Sequence, residues 1–246
     1  MKRQEIILNT IAFQAQLDQG YRQVDLLPWV QKLGVQRLEI RSDFLTGELN
    51  ELHEIRREAD KLGIALYYSA NVDFLQGDFV NPDIVRHCQV AEILGAPFLK
   101  LNIGDGSAIS EEQLVMWAKT FPSDMNLRIE NNQDPDAATI SNCQKVMGLL
   151  RRLDLPISFV FDTGNWAFVG ESTVEAAEIL GDLTSYLHCK NFRNQDGVLR
   201  VASFFEGELD LVQLLSYFPS LEYLALEYPA SVEQLEVDLA RLENIG

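Results

Sequence analysis

Six side chains in this sequence have the makings of a reactive cluster: Glu39, Lys100, Glu130, Asp162, His188 and Glu227. Each closes or nearly closes a short apolar run, as in Ser158-Phe159-Val160-Phe161-Asp162, after which Thr163-Gly164-Asn165 turns the chain. Taken singly they are unremarkable, because an acid at a strand end forms turns, caps helices or pairs with a nearby Arg. Taken together they conflict. Glu130, Asp162 and Glu227 crowded around His188 would raise one another's pKa, and burying them unpaired would cost several kcal/mol each. A divalent metal resolves the conflict. Three carboxylate oxygens and one imidazole nitrogen form a hard-to-borderline donor set suited to Mn²⁺, Mg²⁺ or Co²⁺, with two positions left for substrate or water. Zn²⁺ is possible but less favoured, since it usually takes more His or Cys.

The elements that must position these residues repeat along the chain. Lys32-Leu33-Gly34, Lys61-Leu62-Gly63, Ile93-Leu94-Gly95 and Ile179-Leu180-Gly181 each place Gly just past an amphipathic segment, where a left-handed residue closes a helix. A short apolar run follows each within a few residues. Asn81-Pro82 reads as a helix start, and Ser110 with Gln113, Ser172 with Glu175 and Ser231 with Gln234 have capping-box spacing. The pattern predicts strands near 6–10, 36–41, 64–69, 97–102, 126–131, 157–162, 184–190 and 222–228. Helices are predicted near 23–33, 50–62, 82–94, 111–120, 137–152, 172–180, 209–217 and 232–243. Eight βα units of roughly thirty residues argue for an α/β protein, a single (β/α)₈ TIM barrel over residues 1–246. A doubly wound open sheet is the alternative, but no Gly-rich phosphate fingerprint follows the first strand.

Strand parity then sorts the side chains. Leu38/Ile40, Leu99/Leu101, Leu127/Ile129, Phe159/Phe161, Leu187 and Leu224/Leu226 would face the helices. The opposite register holds Glu39, Lys100, Glu130, Asp162, His188 and Glu227 together with Asn9, all pointing into the barrel near its carboxyl-end mouth.

The 246 residues carry 37 Asp+Glu against 20 Lys+Arg, a net charge of −17 that disfavours nucleic-acid partners. A hydrophobic fraction of 47% with 9% aromatics excludes disordered and collagen-like classes. Cys88, Cys143 and Cys189 are too few and scattered for a disulfide framework or zinc knuckle and read as reduced thiols. The apolar stretch after Met1-Lys2-Arg3-Gln4-Glu5 is too short for a signal peptide, and nothing later approaches a membrane span, so a cytoplasmic location is expected.

Glu130-Asn131-Asn132, Asp162-Thr163-Gly164-Asn165, His188-Cys189-Lys190-Asn191 and Leu226-Glu227-Tyr228-Pro229 resemble the four signatures of the xylose-isomerase-like barrel superfamily. Gly207-Glu208-Leu209-Asp210 is similar to the turn that this family places before its last helices. The group contains sugar and sugar phosphate isomerases and epimerases, hydroxypyruvate isomerase, inosose and 3-dehydroshikimate dehydratases, and endonuclease IV. The resemblance implies a metal held by Glu130, Asp162, His188 and Glu227, with Glu130 and Glu227 also forming the acid/base pair. Many members carry His where this chain has Asn132 and Asn165. Asn can bind substrate hydroxyls but cannot shuttle protons at neutral pH.

The expected activity is isomerisation or epimerisation of a small sugar, sugar phosphate or hydroxy-carbonyl acid, with proton transfer through an enediolate. Lys190 and Lys100 would stabilise the enediolate or hold a carboxylate or phosphate. Glu39, Asn9, Asn132, Asn165 and Tyr68 are candidate contacts to substrate, and Trp166 would pack on a sugar face. A metal-dependent dehydratase begins with the same proton abstraction, and a barrel that binds sugar without chemistry is the non-enzyme alternative. Endonuclease IV-like DNA repair is set aside, because His53 and His87 lie on predicted helices away from the mouth and the charge opposes DNA. A homo-oligomer is possible on size, though no stretch identifies an interface.

Overall fold

Apolar residues alternating with polar ones along short runs give strands whose two faces are both covered, and a computed structural model describing residues 1–245 shows how they close. Strands β1 (Ile6–Asn9), β2 (Arg37–Arg41), β3 (Ala65–Gln76), β4 (Phe98–Asp105), β5 (Asn126–Glu130), β6 (Ile157–Asp162), β7 (Thr184–Cys189) and β8 (Tyr223–Leu226) run parallel. Each pairs with its sequence neighbours, and β8 returns to β1, so the sheet is a closed eight-stranded barrel. Helices α1 (Leu27–Lys32), α2 (Leu49–Leu62), α3 (Ile84–Leu94), α4 (Glu111–Thr120), α5 (Ile140–Arg152), α6 (Thr173–Leu180), α7 (Leu211–Leu214) and α8 (Val232–Glu243) follow the strands in turn. Among the described residues, no helix is long and apolar enough to cross a membrane.

Local signals explain most helix ends. Ser110, Ser172 and Ser231 each accept a backbone hydrogen bond at the start of a helix, and Gly63 and Gly95 close α2 and α3 with φ of 67° and 68°. Gly181 differs from expectation. Its φ is −56°, α6 runs on into a 3₁₀ turn over Gly181–Leu183, and a Cβ there would lie 2.2 Å from the Tyr217 carbonyl oxygen. Close backbone approach, not helix closure, is what requires glycine at this position. Asn81-Pro82 also acts differently, forming a turn in which the Asn81 side chain accepts from the Asp83 N–H before α3 begins at Ile84.

The apolar side chains divide between two cores. Most pack between strands and helices, where Leu38, Ile40, Leu99, Leu101, Phe159, Phe161, Leu187, Leu224 and Leu226 join a large buried cluster. A smaller cluster of Ile7, Tyr67, Phe98, Val160, Tyr186 and Ala225 fills the barrel interior. Phe98, Tyr186 and Tyr223 meet edge to face there with centroids 5.3–5.9 Å apart, and the Arg128 guanidinium stacks 4.3 Å from the Phe98 ring. This layer closes the amino-terminal end, so the polar residues above it form a well open at the carboxyl end alone.

Two features exceed the expected elements. Strand β3 continues past Ser69 through an irregularity to Gln76 and pairs antiparallel with Phe79–Val80. After β7, Asn191–Gln195 and Val198–Ala202 form an antiparallel hairpin.

Candidate metal centre

Parity and register place the polar residues together. Asp162 on β6 lies beside His188 on β7, Asn9 on β1 beside Glu39 on β2, and Asn102 on β4 beside Glu130 on β5. Donor atoms of Glu130, Asp162, His188 and Glu227 all lie within 4.8 Å of one another, and all four residues are buried.

Each of the four has one atom held by surrounding groups and one turned toward the other members of the cluster. Asp162 Oδ1 accepts from the backbone N–H groups of Gly164 and Asn165, both at 2.9 Å, because the turn after β6 folds back over the carboxylate. Glu227 Oε1 is held by the Arg41 guanidinium at 2.7 Å and by Asn9 Nδ2 at 3.4 Å. Glu130 Oε2 pairs with the Lys100 ammonium. His188 Nε2 faces Glu39 at 3.1 Å, and Glu39 in turn accepts from Asn9 Nδ2 and the Tyr186 hydroxyl, each at 2.6 Å. The remaining atoms are Asp162 Oδ2, Glu227 Oε2, Glu130 Oε1 and His188 Nδ1. His188 Nδ1 lies 2.6 Å from Glu130 Oε1 and 3.3 Å from Glu227 Oε2. Glu130 Oε1, Asp162 Oδ2 and His188 Nδ1 are buried without an aligned hydrogen bond. Three acid oxygens and one imidazole nitrogen buried this close together suit a divalent cation. The Glu39–His188 contact is the carboxylate–imidazole support that orients a ligating histidine. The residues therefore fit a metal.

The protein's own cations balance much of the cluster's charge. Lys190 Nζ lies 2.7 Å from Asp162 Oδ2 and 3.2 Å from Glu227 Oε2. Burial, only partly offset by Lys190, pushes the Asp162 carboxyl up to about 8. Glu227, despite the same burial, is held well below the usual carboxylate range by Lys190, His188 and Arg41. Burial opposes a charge on His188, but Glu39, Glu227 and Glu130 outweigh it and hold its pKa well above that of an ordinary histidine.

A cavity of about 460 Å³ opens over this cluster, lined by Glu130, Glu227, Lys100, Lys190, Asn132 and Asn165 among others. Asp162 and His188 lie beneath its floor and do not line it. Asn165 is locked in place, donating to the Asn131 carbonyl at 2.8 Å and accepting from Gln133 Nε2 at 2.9 Å, while Asn132 Oδ1 has no partner. Glu39 and Asn9 are fully buried below, where they hold His188 and Glu227 and are out of a substrate's reach.

Two expected contacts lie elsewhere. Tyr68 shares the outward parity of Ile40, points at α3, and its hydroxyl is 2.9 Å from His87 Nδ1. Trp166 is fully buried behind β6 against Phe161, with ring centroids 5.4 Å apart, so it presents no face to a ligand. Sequence reasoning passed over Arg41, Asn102, Gln133 and Tyr186. Three of these were accessible by parity, since Arg41, Asn102 and Tyr186 stand two residues from Glu39, Lys100 and His188. Gln133 lies in a loop that no periodicity governs.

No protein-family model matches the sequence, and no curated protein matches it. The fold has clear counterparts among solved structures. A xylose isomerase-like TIM barrel/4-hydroxyphenylpyruvate dioxygenase fusion protein aligns with a TM-score of 0.69 at 15% identity over 98% of this chain, which spans 42% of the fusion protein's length. The probable 3-DHS dehydratase AsbF of Bacillus anthracis gives 0.68 at 14% identity, covering 99% of both chains. The IolI protein, solved with a bound zinc atom, gives 0.67 at 12% identity, covering 98% of this chain and 97% of that one. Solved sugar epimerases share the fold at 14% identity. The chain has the fold of the xylose isomerase-like TIM barrels, with a buried Glu130-Asp162-His188-Glu227 group at its carboxyl-end mouth that can hold a metal ion.

Proposed function

We propose that this barrel is a divalent-metal-dependent isomerase or epimerase of a small sugar, sugar phosphate or hydroxy-carbonyl acid. The observation that carries this reading is the division of the four acceptors by depth. Glu130 and Glu227 reach the cavity, whereas Asp162 and His188 are sealed beneath it. A bound divalent ion supplies Lewis-acid polarisation of a carbonyl and its adjacent hydroxyl. Two carboxylates at the cavity wall are then placed to remove a proton from the hydroxyl-bearing carbon next to the carbonyl and to return one to the former carbonyl carbon or to the opposite face of the same carbon. The electron pair left by the departing C–H bond passes into the enediolate, and reprotonation restores a carbonyl, so no other reactant is required. Asn132 and Asn165 bind hydroxyls without exchanging protons, which leaves acid/base work to the two Glu residues. Lys100, paired with Glu130, stabilises negative charge developing on substrate oxygen. Mn²⁺, Mg²⁺ and Co²⁺ suit the donor set best. Zn²⁺ is the ion held by IolI, a barrel of the same fold.

A metal-dependent dehydratase is the second reading, favoured by the ammonium of Lys190 on the cavity wall, which is a proton donor for a departing hydroxyl. AsbF, the probable 3-DHS dehydratase, shares the fold. Incubation with Mn²⁺ and a panel of keto-sugars and hydroxy-keto acids in D₂O separates the two. Deuterium at the carbon next to the carbonyl without loss of water supports the isomerase or epimerase, and loss of one water supports the dehydratase. Glu130→Gln tests the acid/base assignment directly: metal binding with undiminished turnover would refute it.

A further inference from the structure

Lys100 and Lys190 both pair with candidate metal ligands, but they occupy different atoms. Lys100 sits on Glu130 Oε2 and leaves Oε1 to His188 Nδ1, 2.6 Å away. Lys190 sits on Asp162 Oδ2, the one oxygen of that carboxylate not already accepting from backbone N–H groups. It also sits on Glu227 Oε2, the oxygen that Arg41 and Asn9 leave over. The ammonium thus claims the two oxygens that a cation would need. Resting on the metal-dependent reading above, we propose that Lys190 is a displaceable counter-ion: it neutralises Asp162 and Glu227 until a divalent ion takes their free oxygens, and then holds a carboxylate of the substrate in the cavity.

The backbone of Lys190 cannot make this move, since Thr163 Oγ1 donates to its carbonyl at 2.6 Å and accepts from its N–H at 3.1 Å. The side chain can. Its stem passes over Gly164, where an added Cβ would lie 2.8 Å from Lys190 Cγ, and the residue already lines the cavity. With the backbone pinned and Asp162 sealed beneath the floor, the cavity is the open direction for a displaced ammonium.

Charge identifies what it would meet there. With the acids ionised, Glu39, Asp43, Glu130, Asp162 and Glu227 carry five negative charges, and Lys100, Lys190 and Arg41 carry three positive ones. A divalent ion balances the cluster and leaves a freed ammonium without an anionic partner, on a wall whose other polar groups include the neutral amides Asn71, Asn102, Asn132, Gln133 and Asn165. A carboxylate-bearing hydroxy-carbonyl compound gives that ammonium a single anionic partner, a neutral sugar gives none, and a phosphate dianion brings one charge more than the ammonium matches.

Isothermal titration of Mn²⁺ into the full metal-free chain tests the displacement. Lys190→Met should bind Mn²⁺ at least about tenfold more tightly than the wild type, whereas Lys190→Arg, which keeps the charge, should not. Lys190→Gln replaces Met if that variant does not fold. Equal or weaker Mn²⁺ binding by the uncharged variant overturns the displacement while leaving the metal reading standing. Failure of all forms to bind Mn²⁺ overturns both. With the Mn²⁺-loaded wild type, gluconate should bind at least about tenfold more tightly than sorbitol, the gain of one charge-assisted contact, and Lys190→Met should erase the difference. Equal binding of the two, or tighter binding of sorbitol 6-phosphate than gluconate, overturns the carboxylate assignment.

Discussion

Glu39 touches no cavity, yet its replacement by Gln should weaken metal binding more than it weakens the fold. The carboxylate accepts from Asn9 Nδ2 and the Tyr186 hydroxyl at 2.6 Å and faces His188 Nε2 at 3.1 Å. Gln offers one acceptor oxygen and an amide donor in the same volume. The Tyr186 hydroxyl can turn to accept from that amide, and the remaining oxygen can still serve both Asn9 Nδ2 and His188 Nε2–H, as Oε1 does with Glu, so what is lost is the negative charge. Exchanging charge-assisted for neutral hydrogen bonds costs about 1 kcal/mol of folding stability. His188 meanwhile loses the anion that fixes which nitrogen carries the proton and thereby keeps Nδ1 free toward Glu130 and Glu227. Loss of such support lowers metal affinity by about 10–100-fold, equivalent to about 1.4–2.7 kcal/mol. Calorimetric titration with Mn²⁺ reads the affinity, and denaturant unfolding of the metal-free protein reads the stability. Unchanged Mn²⁺ affinity in a folded Glu39→Gln protein would refute the assignment of His188 as a supported ligand.

Further outcomes follow from the same contacts. Asn131, whose side chain accepts from the Asp162 N–H at 2.8 Å and donates to the Asp162 carbonyl at 3.1 Å, should lose about 2–4 kcal/mol on truncation to Ala, measured by urea unfolding, because two buried backbone groups are left unpaired. Arg41→Met removes one of the cations that, against burial, hold Glu227 low, so the acidic limb of the pH–rate profile should move to higher pH; an unmoved limb would detach Arg41 from Glu227. Burial lowers the pKa of His87 in the fold, so above the ordinary histidine value of about 6.5 its contribution is intact. Below that value the unfolded chain binds the proton more readily, and stability is lost as pH falls through the folded pKa. His87→Gln should flatten that part of the stability–pH curve, read by thermal unfolding between pH 8 and 5.

The barrel and its inward-facing acids were legible because two periodicities coincide. The 3.6-residue pattern with Ser caps and Gly closures fixes where helices stop, and the two-residue pattern then decides which side chains face inward. Parity placed Glu39, Lys100 and Asp162 correctly, and its consistent use would also have found Arg41, Asn102 and Tyr186. Trp166 was misplaced for the opposite reason. It lies beyond the end of β6 in the one-turn helix Asn165–Phe168, where strand alternation no longer applies and an apolar indole turns to the nearest core. Tyr68 was misplaced by residue type, an amphipathic ring being read as a sugar contact although its strand position is that of Ile40. The β3 extension and the hairpin after β7 carry strand-like signals, Asn71-Val72-Asp73-Phe74 and Val198-Leu199-Arg200-Val201-Ala202, but these fall between the regularly spaced βα units and so did not read as barrel elements.

The aromatic floor of Phe98, Tyr186 and Tyr223 has a kinetic consequence. A well sealed at one end has a single doorway, and His188 and Asp162 stand deeper in it than the two Glu residues that line the cavity. Whatever occupies the cavity stands between the ion and solvent. On the proposed metal-dependent reading, loading is therefore ordered, ion first and organic molecule second, and departure runs in reverse. A chelator added to the ternary complex would strip the ion no faster than the organic molecule vacates.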